Sequence, residues 1–239
     1  MISWTSIYGS DDPDIDIKHP WQDILDRIVQ NQSRRHDMAR TGRPRAFDRD
    51  KALDAAMILF WEQGYEPTSL NQLKAAMGDI SPASFYAAFG SKEALFDEVV
   101  LRYQASYGRV TASLKNEALP PREAIETALR LSARMQTDKT HPPGCLMLLG
   151  ANNCAPENRH VDDVLAADRM RNRAGIETCI RRAVDGGELV STTNVRGLAT
   201  LFHTFLMGIA FEARDGADGG DINEAVTALM QIWDRHMAT

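Results

Sequence analysis

Helix start and stop residues divide the stretch between Asp48 and Tyr103 into four short segments. Within each segment apolar residues recur at the spacing that places them on one face of a helix. Ser81 and Ser91 stand where helices start, because a serine side chain can accept a hydrogen bond from the first helical turn. Glycine, whose left-handed conformation closes helices, ends three segments, at Gly64, Gly78 and Gly90. This pattern predicts two short helices joined by a turn and flanked by longer ones, a helix-turn-helix arrangement.

The four segments have predictable bounds. The first helix runs from the capping residue Asp48 to Gly64, and the second is capped by Thr68 and runs through Met77. The third is short, from Pro82 to Phe89, since a proline at the first helical position loses no hydrogen bond. The fourth runs from Ser91 to about Arg109.

The chain beyond Pro120 and Pro121 has a helical pattern to its end, without the alternation typical of strands. At 239 residues, of which 44% are hydrophobic, it is large enough to bury a sizeable core. The predicted fold class is therefore all-α, with an N-terminal helix-turn-helix domain and a larger helical domain after it. The helices of the second domain are expected at about 121–138, 144–153, 157–186, 193–214 and 221–237.

Several classes of protein are disfavoured by the composition. No window approaches eighteen consecutive apolar residues, and the first thirty residues carry six aspartates instead of a basic and then apolar signal peptide. We therefore expect no membrane span and a cytoplasmic location. The three cysteines have no C-x-x-C spacing, so neither a disulfide framework nor a thiolate zinc site is expected. No metal site and no cofactor are predicted.

A catalytic function has little support in the sequence. It contains no G-x-S-x-G, H-E-x-x-H or P-loop motif. Glu157 and His160 form a single E-x-x-H, whereas a carboxylate-bridged di-iron bundle needs two such motifs and two further carboxylates. We predict no catalytic residues, and a helical enzyme is the alternative from a different class.

Charge is distributed unevenly along the chain. The net charge of −6 disfavours nucleic-acid binding when it is taken globally. Residues 1–33, however, hold six aspartates against two basic residues, whereas residues 34–51 hold seven basic residues against three aspartates. A basic arm thus precedes the first strong helix, where it can contact phosphate.

The stretch from Gly42 to Tyr103 resembles the DNA-binding domain of the TetR family of transcriptional regulators. Several motifs match in order and spacing, a far more specific signal than one short pattern. The matching segments are G-R-P-R-A-F at 42–47, A-L-D-A-A-M-I-L-F-W-E-Q-G-Y at 52–65, P-T-S-L at 67–70 and I-S-P-A-S-F-Y-A-A-F-G-S-K-E-A-L-F at 80–96. The resemblance implies a DNA-binding domain at 38–104 and a helical ligand-binding and dimerisation domain at 105–239.

Residues 1–37 form an acidic N-terminal extension outside both domains. Disorder is one interpretation of it, and a short amphipathic helix over residues 21–29 is another. Because Met38 opens a run that resembles a protein start, the extension is either a working element or an upstream extension of the gene model. Both alternatives stay open.

The third helix carries the candidates for entering the major groove. Phe85 and Phe89 are expected to anchor it, while its outward residues are small enough to approach base edges. These outward residues are Pro82, Ala83, Ser84, Tyr86 and Ala87. With two alanines among them, we expect thymine-methyl contact and DNA shape to matter more than direct hydrogen bonds. The resemblance assigns phosphate contacts to Tyr86, Lys92, Thr68, Ser69, Arg43 and Arg45.

Asp79 makes the turn before this helix one residue longer than the family's usual turn. It places a negative charge near the DNA backbone and leaves the orientation of the third helix open. Thr68 and Ser81 are helix caps whether or not DNA is bound, so a purely structural role is the alternative for each.

The second domain must supply a partner contact and a ligand cavity. An apolar stripe runs along each of the last two predicted helices, and the family resemblance implies a four-helix bundle across a two-fold axis. That both stripes are only intramolecular core is the alternative. The candidate interface residues are Phe205, Ile209, Leu229 and Trp233. The candidate cavity residues are Met135, Cys145, Met147, Asn152, Met170, Phe202, His203 and Phe205. For each methionine and phenylalanine among them, an ordinary core position is the alternative.

The predicted function is that of a DNA-binding transcriptional regulator. Repression is preferred because it is the family's common mode, with a homodimer on a pseudo-palindromic double-stranded operator that a small-molecule effector releases. Cys145 provides an alternative, since a thiol at a predicted helix start can have a lowered pKa and sense oxidants or electrophiles. An inert, buried cysteine is the ordinary structural role.

Overall fold

The computed structural model describes residues 47–151 and 154–238. In this part of the chain the α-helices are α1 (Arg49–Gln63), α2 (Leu70–Ala76), α3 (Pro82–Phe89), α4 (Lys92–Ala105), α5 (Pro121–Gln136), α6 (Leu146–Leu149), α7 (Arg159–Asp185), α8 (Val195–Arg214) and α9 (Gly219–Asp234). Two 3-10 helices are Tyr107–Lys115 and Pro156–Asn158. An isolated β-bridge joins Leu189 to Met237. The predicted all-α class is confirmed. Predictions that concern residues 1–37, Arg43, Arg45 and Asn152 lie outside the described residues.

α2 begins one residue later than the sequence predicts. Its cap is Ser69, whose Oγ accepts a hydrogen bond from the Gln72 N–H at 3.2 Å, while the Gln72 side chain accepts one from the Ser69 N–H at 2.8 Å. This reciprocal pair satisfies backbone N–H groups that have no partner inside the helix. Thr68 is buried, and its hydroxyl donates to the Gly64 carbonyl at 2.6 Å. The predicted Thr68 cap is therefore wrong, because Thr68 holds the loop between α1 and α2.

The turn between α2 and α3 accommodates its extra residue through two consecutive left-handed residues. Gly78 has a φ of 88° and Asp79 a φ of 57°. The N–H groups of both residues donate to the Ala75 carbonyl, so the turn stays closed. Aspartate is one of the few residues besides glycine that tolerate this conformation. The additional length is absorbed within the turn, and α3 forms at its predicted bounds.

Two predicted helices are shorter in the structure. α4 ends at Ala105 instead of Arg109, and the chain turns into a 3-10 helix after Ser106, whose hydroxyl donates to the Arg102 carbonyl at 2.7 Å. The segment predicted at 144–153 is reduced to the four residues of α6. The backbone between α4 and α7 is therefore more irregular than its sequence pattern indicates.

Two groups of apolar side chains fill the interior. Among the first four helices, the rings of Phe60, Phe85 and Phe96 are fully buried, and Phe60 meets Phe96 edge to face with 5.0 Å between ring centroids. The other group lies between α5, α7, α8 and α9, where Phe202 packs against Trp233. The first group fixes the helix-turn-helix, and the second fixes the larger helical part.

Candidate DNA-binding surface and ligand cavity

α3 presents a continuous exposed face while its aromatic residues hold it to the chain. Ser81 caps the helix by accepting a hydrogen bond from the Ser84 N–H at 3.0 Å. Phe85 and Phe89 are fully buried, as the sequence predicts. The α3 face consists of the exposed residues Pro82, Ala83, Ser84, Tyr86 and Ala87, and the Tyr86 side chain is 52% exposed. The structure thus brings the five predicted groove-facing residues together on one surface.

Arg49 holds α3 in place, a role that sequence reasoning missed. Its guanidinium donates to the Glu98 carboxylate at 2.6 Å and to the Ala88 carbonyl at 3.3 Å, and it lies 4.8 Å from the centroid of the Phe89 ring. One planar cation therefore ties the start of α1 to α3 and α4. In the sequence, Arg49 is one of the seven basic residues of 34–51, and the charge pattern alone does not distinguish it from the arm.

Two predicted phosphate contacts have other partners in the structure. The Lys92 ammonium donates to the Glu66 carbonyl at 3.5 Å and lies 4.3 Å from the centroid of the Tyr65 ring, and burial lowers its pKa. Ser69 is exposed at the start of α2, next to Thr68, whose buried hydroxyl is not available to DNA. At the start of α2, the exposed Ser69 is therefore available for a phosphate contact, whereas the Thr68 side chain is not.

A cavity lies between α4, α5, α6, α7, α8 and the first 3-10 helix. It offers about 40 Å³ to the centre of a water molecule, which is room for a few waters. Met135, Cys145 and Met147 line it, as the sequence predicts. Apolar side chains including Val110 and Leu206 form much of the remaining wall.

Four other predicted cavity residues lie elsewhere in the fold. Met170 is 66% exposed on the surface of α7. Phe202 is buried in the core against Trp233, and Phe205 packs on the same core. His203 stands outside the cavity lining, where its Nε2 lies 3.0 Å from the Arg169 carbonyl. These residues were placed wrongly because an apolar stripe does not distinguish a core from a cavity wall.

Polar residues line the cavity at positions that the sequence analysis did not select. Ser132 and Gln136 are both buried on the cavity side of α5. Asp168 of α7 accepts hydrogen bonds from Gln104 at 2.9 Å and from Arg171 at 2.6 Å. The charge of Asp168 is therefore partnered before any ligand binds.

Cys145 stands at the cavity wall with its thiol beside Tyr103. The Tyr103 hydroxyl donates to its Sγ at 3.5 Å, and Cys145 makes no side-chain capping hydrogen bond to α6. Burial raises the pKa of the thiol by more than the Tyr103 hydroxyl and the nearby N–H groups of Met147 and Leu148 lower it. The expectation of a lowered pKa at this helix start is therefore wrong, because the thiolate would be formed in an apolar wall.

The cavity wall and the helix-turn-helix are joined by short contacts. The Tyr65 N–H, in the loop that leads into α2, donates to the Gly150 carbonyl just after α6 at 2.6 Å. Trp61 of α1 meets Tyr103 edge to face, with 4.9 Å between ring centroids. The Asn158 amide donates to the Glu66 carboxylate at 3.0 Å. Tyr103 and the residue after α6 are therefore in contact with the elements that position α2 and α3.

Three predicted interface residues are unavailable to a partner. Ile209, Leu229 and Trp233 are buried in the core of the chain itself, and the remaining one, Phe205, is partly buried against that core. Other apolar or small residues of α8 and α9 are exposed or only partly buried. These residues, together called the α8–α9 surface, are Leu201, Gly208, Phe211, Ala225 and Ala228. Apart from the two neighbouring residues and the nearby backbone of the same helix, no heavy atom of the described residues lies within 4 Å of the position that a Cβ on Gly208 would occupy.

Within residues 47–151 and 154–238, no helix is long and apolar enough to span a bilayer. The same residues contain no group of three or more histidine, cysteine, aspartate or glutamate side chains placed to hold a metal ion.

Two family models match the chain. The model described as bacterial regulatory proteins, tetR family, matches residues 52–99, which contain the helix-turn-helix. The model described as tetracyclin repressor-like, C-terminal domain, matches residues 122–229, which contain α5 from its second residue onward and all of α6, α7 and α8. Together the two matches span more than half of the sequence.

Known proteins similar to the chain are transcriptional regulators. The HTH-type transcriptional repressor ComR of Escherichia coli (strain K12) is 31% identical over 196 residues, which cover 80% of this chain and 91% of ComR. The HTH-type transcriptional repressor BdcR of the same strain is 32% identical over 120 residues, which cover 50% of this chain and 60% of BdcR. A cysteine mutant of the TetR family regulator CifR, complexed with 26 bp double-strand operator DNA, is 38% identical with a TM-score of 0.72, covering 80% of this chain and 100% of that one. The chain therefore belongs to the TetR family and is a helix-turn-helix, DNA-binding transcriptional regulator.

Proposed function

We propose that this regulator is a repressor that binds a pseudo-palindromic operator as a homodimer and is released by a small-molecule effector. The observation that carries the proposal is α3, which is anchored by buried aromatic rings and presents five exposed, mostly small residues. ComR and BdcR are repressors, and the CifR structure contains operator DNA, which supports the same mode of action here.

The proposed domains divide these tasks. Residues 38–104 bind DNA, residues 105–239 bind the effector and the second subunit, and residues 1–37 are an acidic extension outside both. A cytoplasmic location is part of the proposal, and the match to a family of bacterial regulatory proteins supports it, because the DNA of a bacterial cell lies in the cytoplasm.

In the proposed complex the α3 face enters the major groove. Ala83 and Ala87 allow close approach to base edges and thymine methyl groups, and Tyr86 reaches the phosphates beside the groove. Arg43 and Arg45, in the basic arm, add phosphate contacts. Lys92 does so only if its ammonium leaves the Glu66 carbonyl.

Two copies of α3 are needed because one short helix covers too few base pairs for specific affinity. The α8–α9 surface is the proposed dimer contact. Its exposed apolar residues flank an open position at Gly208, where the backbone of a second helix can approach closely. A contact of the same surface with itself would place the two α3 helices across a two-fold axis.

The effector is proposed to bind in the cavity and to act through Tyr103 and α6. Both elements line the cavity and both contact the helix-turn-helix, through Trp61 and through the hydrogen bond from Tyr65 to Gly150. The raised pKa of Cys145 favours reversible binding over thiol chemistry, because the thiolate is the reactive form.

The proposal is tested by footprinting the purified protein on its own upstream DNA. We expect protection of two half-sites about one helical turn apart, with a stoichiometry of one dimer per site. A single protected half-site, or equal affinity for unrelated duplexes of the same length, would contradict a dimeric, sequence-specific regulator.

Tyr103→Ala is expected to uncouple the effector from the operator. Coupling between two sites is typically about 1–3 kcal/mol and acts equally in both directions. The variant removes the ring that joins Trp61 to the cavity, so an effector that releases the parent protein should change operator affinity much less. Tyr103→Phe, which keeps the ring, should retain most of the coupling. If Tyr103→Ala folds and its coupling equals that of the parent, Tyr103 has no part in transmission.

A further inference from the structure

Two residues that line the cavity each carry a buried oxygen atom without a hydrogen-bond partner in the described part of the chain. These atoms are the Ser132 Oγ and the Gln136 Oε1. Ser132 is 1% exposed and Gln136 is 3% exposed, and both line the cavity from α5, one helical turn apart. A buried polar group without a partner destabilises the fold, so such a group is commonly reserved for a ligand or a bound molecule.

Among the described residues that line the cavity, the two ionic side chains already have oppositely charged partners. The Asp168 carboxylate is held by Gln104 and Arg171. The Arg169 guanidinium donates to the Met147 carbonyl at 3.0 Å and to the Asp162 carboxylate at 3.1 Å. A ligand with a net charge would therefore lose its water on entering the cavity and would find no unpaired opposite charge to replace it.

We infer that the cavity binds a small, uncharged, largely apolar molecule that carries one hydroxyl or primary amide group. This group donates a hydrogen bond to the Gln136 Oε1 and accepts one from the Ser132 hydroxyl. Since it can both donate and accept, it satisfies the pair whichever way the Gln136 amide is turned. The apolar part packs against Met135, Met147 and their neighbours. The inference rests on the proposed function in one respect, that this cavity is the effector site.

The size of the cavity sets the scale of the probe molecules. Room for a few waters suits a branched skeleton of four carbons. Isobutanol and isobutyramide carry the two neutral groups on the same skeleton, whereas isobutyrate and isobutylammonium carry a negative and a positive charge. The comparison therefore changes the polar group while the apolar part stays nearly constant.

The full-length protein is titrated with each of the four compounds and followed by amide-resolved NMR. We expect isobutanol and isobutyramide to shift the cavity signals, including the Gln136 side-chain amide, in a saturable way. Binding of both should weaken at least tenfold in Gln136→Leu and in Ser132→Ala, because each variant removes one hydrogen-bond partner. Gln231→Leu, the same change at an exposed position of α9, should bind like the parent. The two charged compounds should bind at least tenfold more weakly than the neutral ones.

Thermal unfolding separates a ligand-binding role from a structural one. Gln136→Leu should unfold at or above the temperature of the parent, since it removes a buried oxygen that has no partner in the free protein. A lower unfolding temperature would show that the amide supports the fold, which contradicts the inference. Failure of Gln136→Leu to fold would contradict the inference for the same reason. Ser132→Ala tests the loss of ligand binding independently of Gln136.

Operator affinity is measured separately, so that the two proposals can fail independently. If the neutral probes bind with the expected pattern while operator affinity is unchanged, the inference holds and release by ligand in this cavity is contradicted. If a charged compound binds the cavity more tightly than the neutral ones, or if Gln136→Leu and Ser132→Ala bind like the parent, the inference is overturned. The proposal that the ligand-free dimer binds its operator and represses transcription would not be affected by that result.

Discussion

Gly208→Trp should give a folded monomer that has lost most of its specific operator affinity. A Cβ at Gly208 has open space around it, and the residue lies within α8, where replacing glycine also favours the helix. The described part of the chain therefore leaves room for the first side-chain atom of the tryptophan, and the indole extends beyond it. In a dimer built on the α8–α9 surface, the same indole would occupy the space of the second subunit.

The expected loss is large because specificity depends on two half-sites. Specific binding exceeds non-specific binding by about a thousandfold or more in such regulators, and a monomer loses most of that difference. Light scattering gives the oligomeric state, circular dichroism the helix content, and fluorescence anisotropy the operator affinity. Gly208→Ala is the matched control, because a methyl group fits a close helix contact and should leave the dimer intact. A dimeric, fully active Gly208→Trp protein would place the interface on another surface.

Ala83→Glu should lower operator affinity about a hundredfold without destabilising the protein. Ala83 is exposed in the first turn of α3, where a carboxylate interacts favourably with the helix dipole, so the fold tolerates it. In the major groove the same carboxylate would stand near phosphates and block close approach. A lost base contact costs about 1–3 kcal/mol in each half-site, which gives the hundredfold estimate for a dimer.

Ala118→Glu controls for charge alone. It makes the same change at an exposed position in the loop before α5, away from the α3 face, and should change affinity by less than a factor of about three through the net charge. If both variants bind the operator equally well, the α3 face is not the recognition surface.

The helix-turn-helix could be predicted from the sequence because its signals are local. Caps such as Ser81 and stops such as Gly90 act within one helical turn, and α3 has the predicted bounds. The choice between Thr68 and Ser69 as the cap of α2 could not be made in this way. Both side chains can cap a helix, and burial of Thr68 against the loop decides between them.

The larger helical part was harder to predict because an apolar stripe does not identify its partner. Ile209 and Trp233 belong to the stripes chosen for the interface, yet they face the core of their own chain. Ser132 and Gln136 were missed although a signal existed. They continue the spacing of the buried residues Ile125 and Leu129 along α5, so they are polar residues at positions that the helix buries.

For the proposed release by an effector, the hydrogen bond from the Tyr65 N–H to the Gly150 carbonyl has a consequence for the speed of that release. The cavity wall formed by α6 is four residues long, and the peptide after it is already in contact with the loop that leads into α2. If the proposed signal passes through this segment alone, it needs only a local backbone rearrangement, which takes nanoseconds to microseconds, and no slower rotation of a whole domain. Under the proposed mechanism, the lifetime of the operator complex rather than the conformational change would then set the delay between the arrival of effector and the start of transcription.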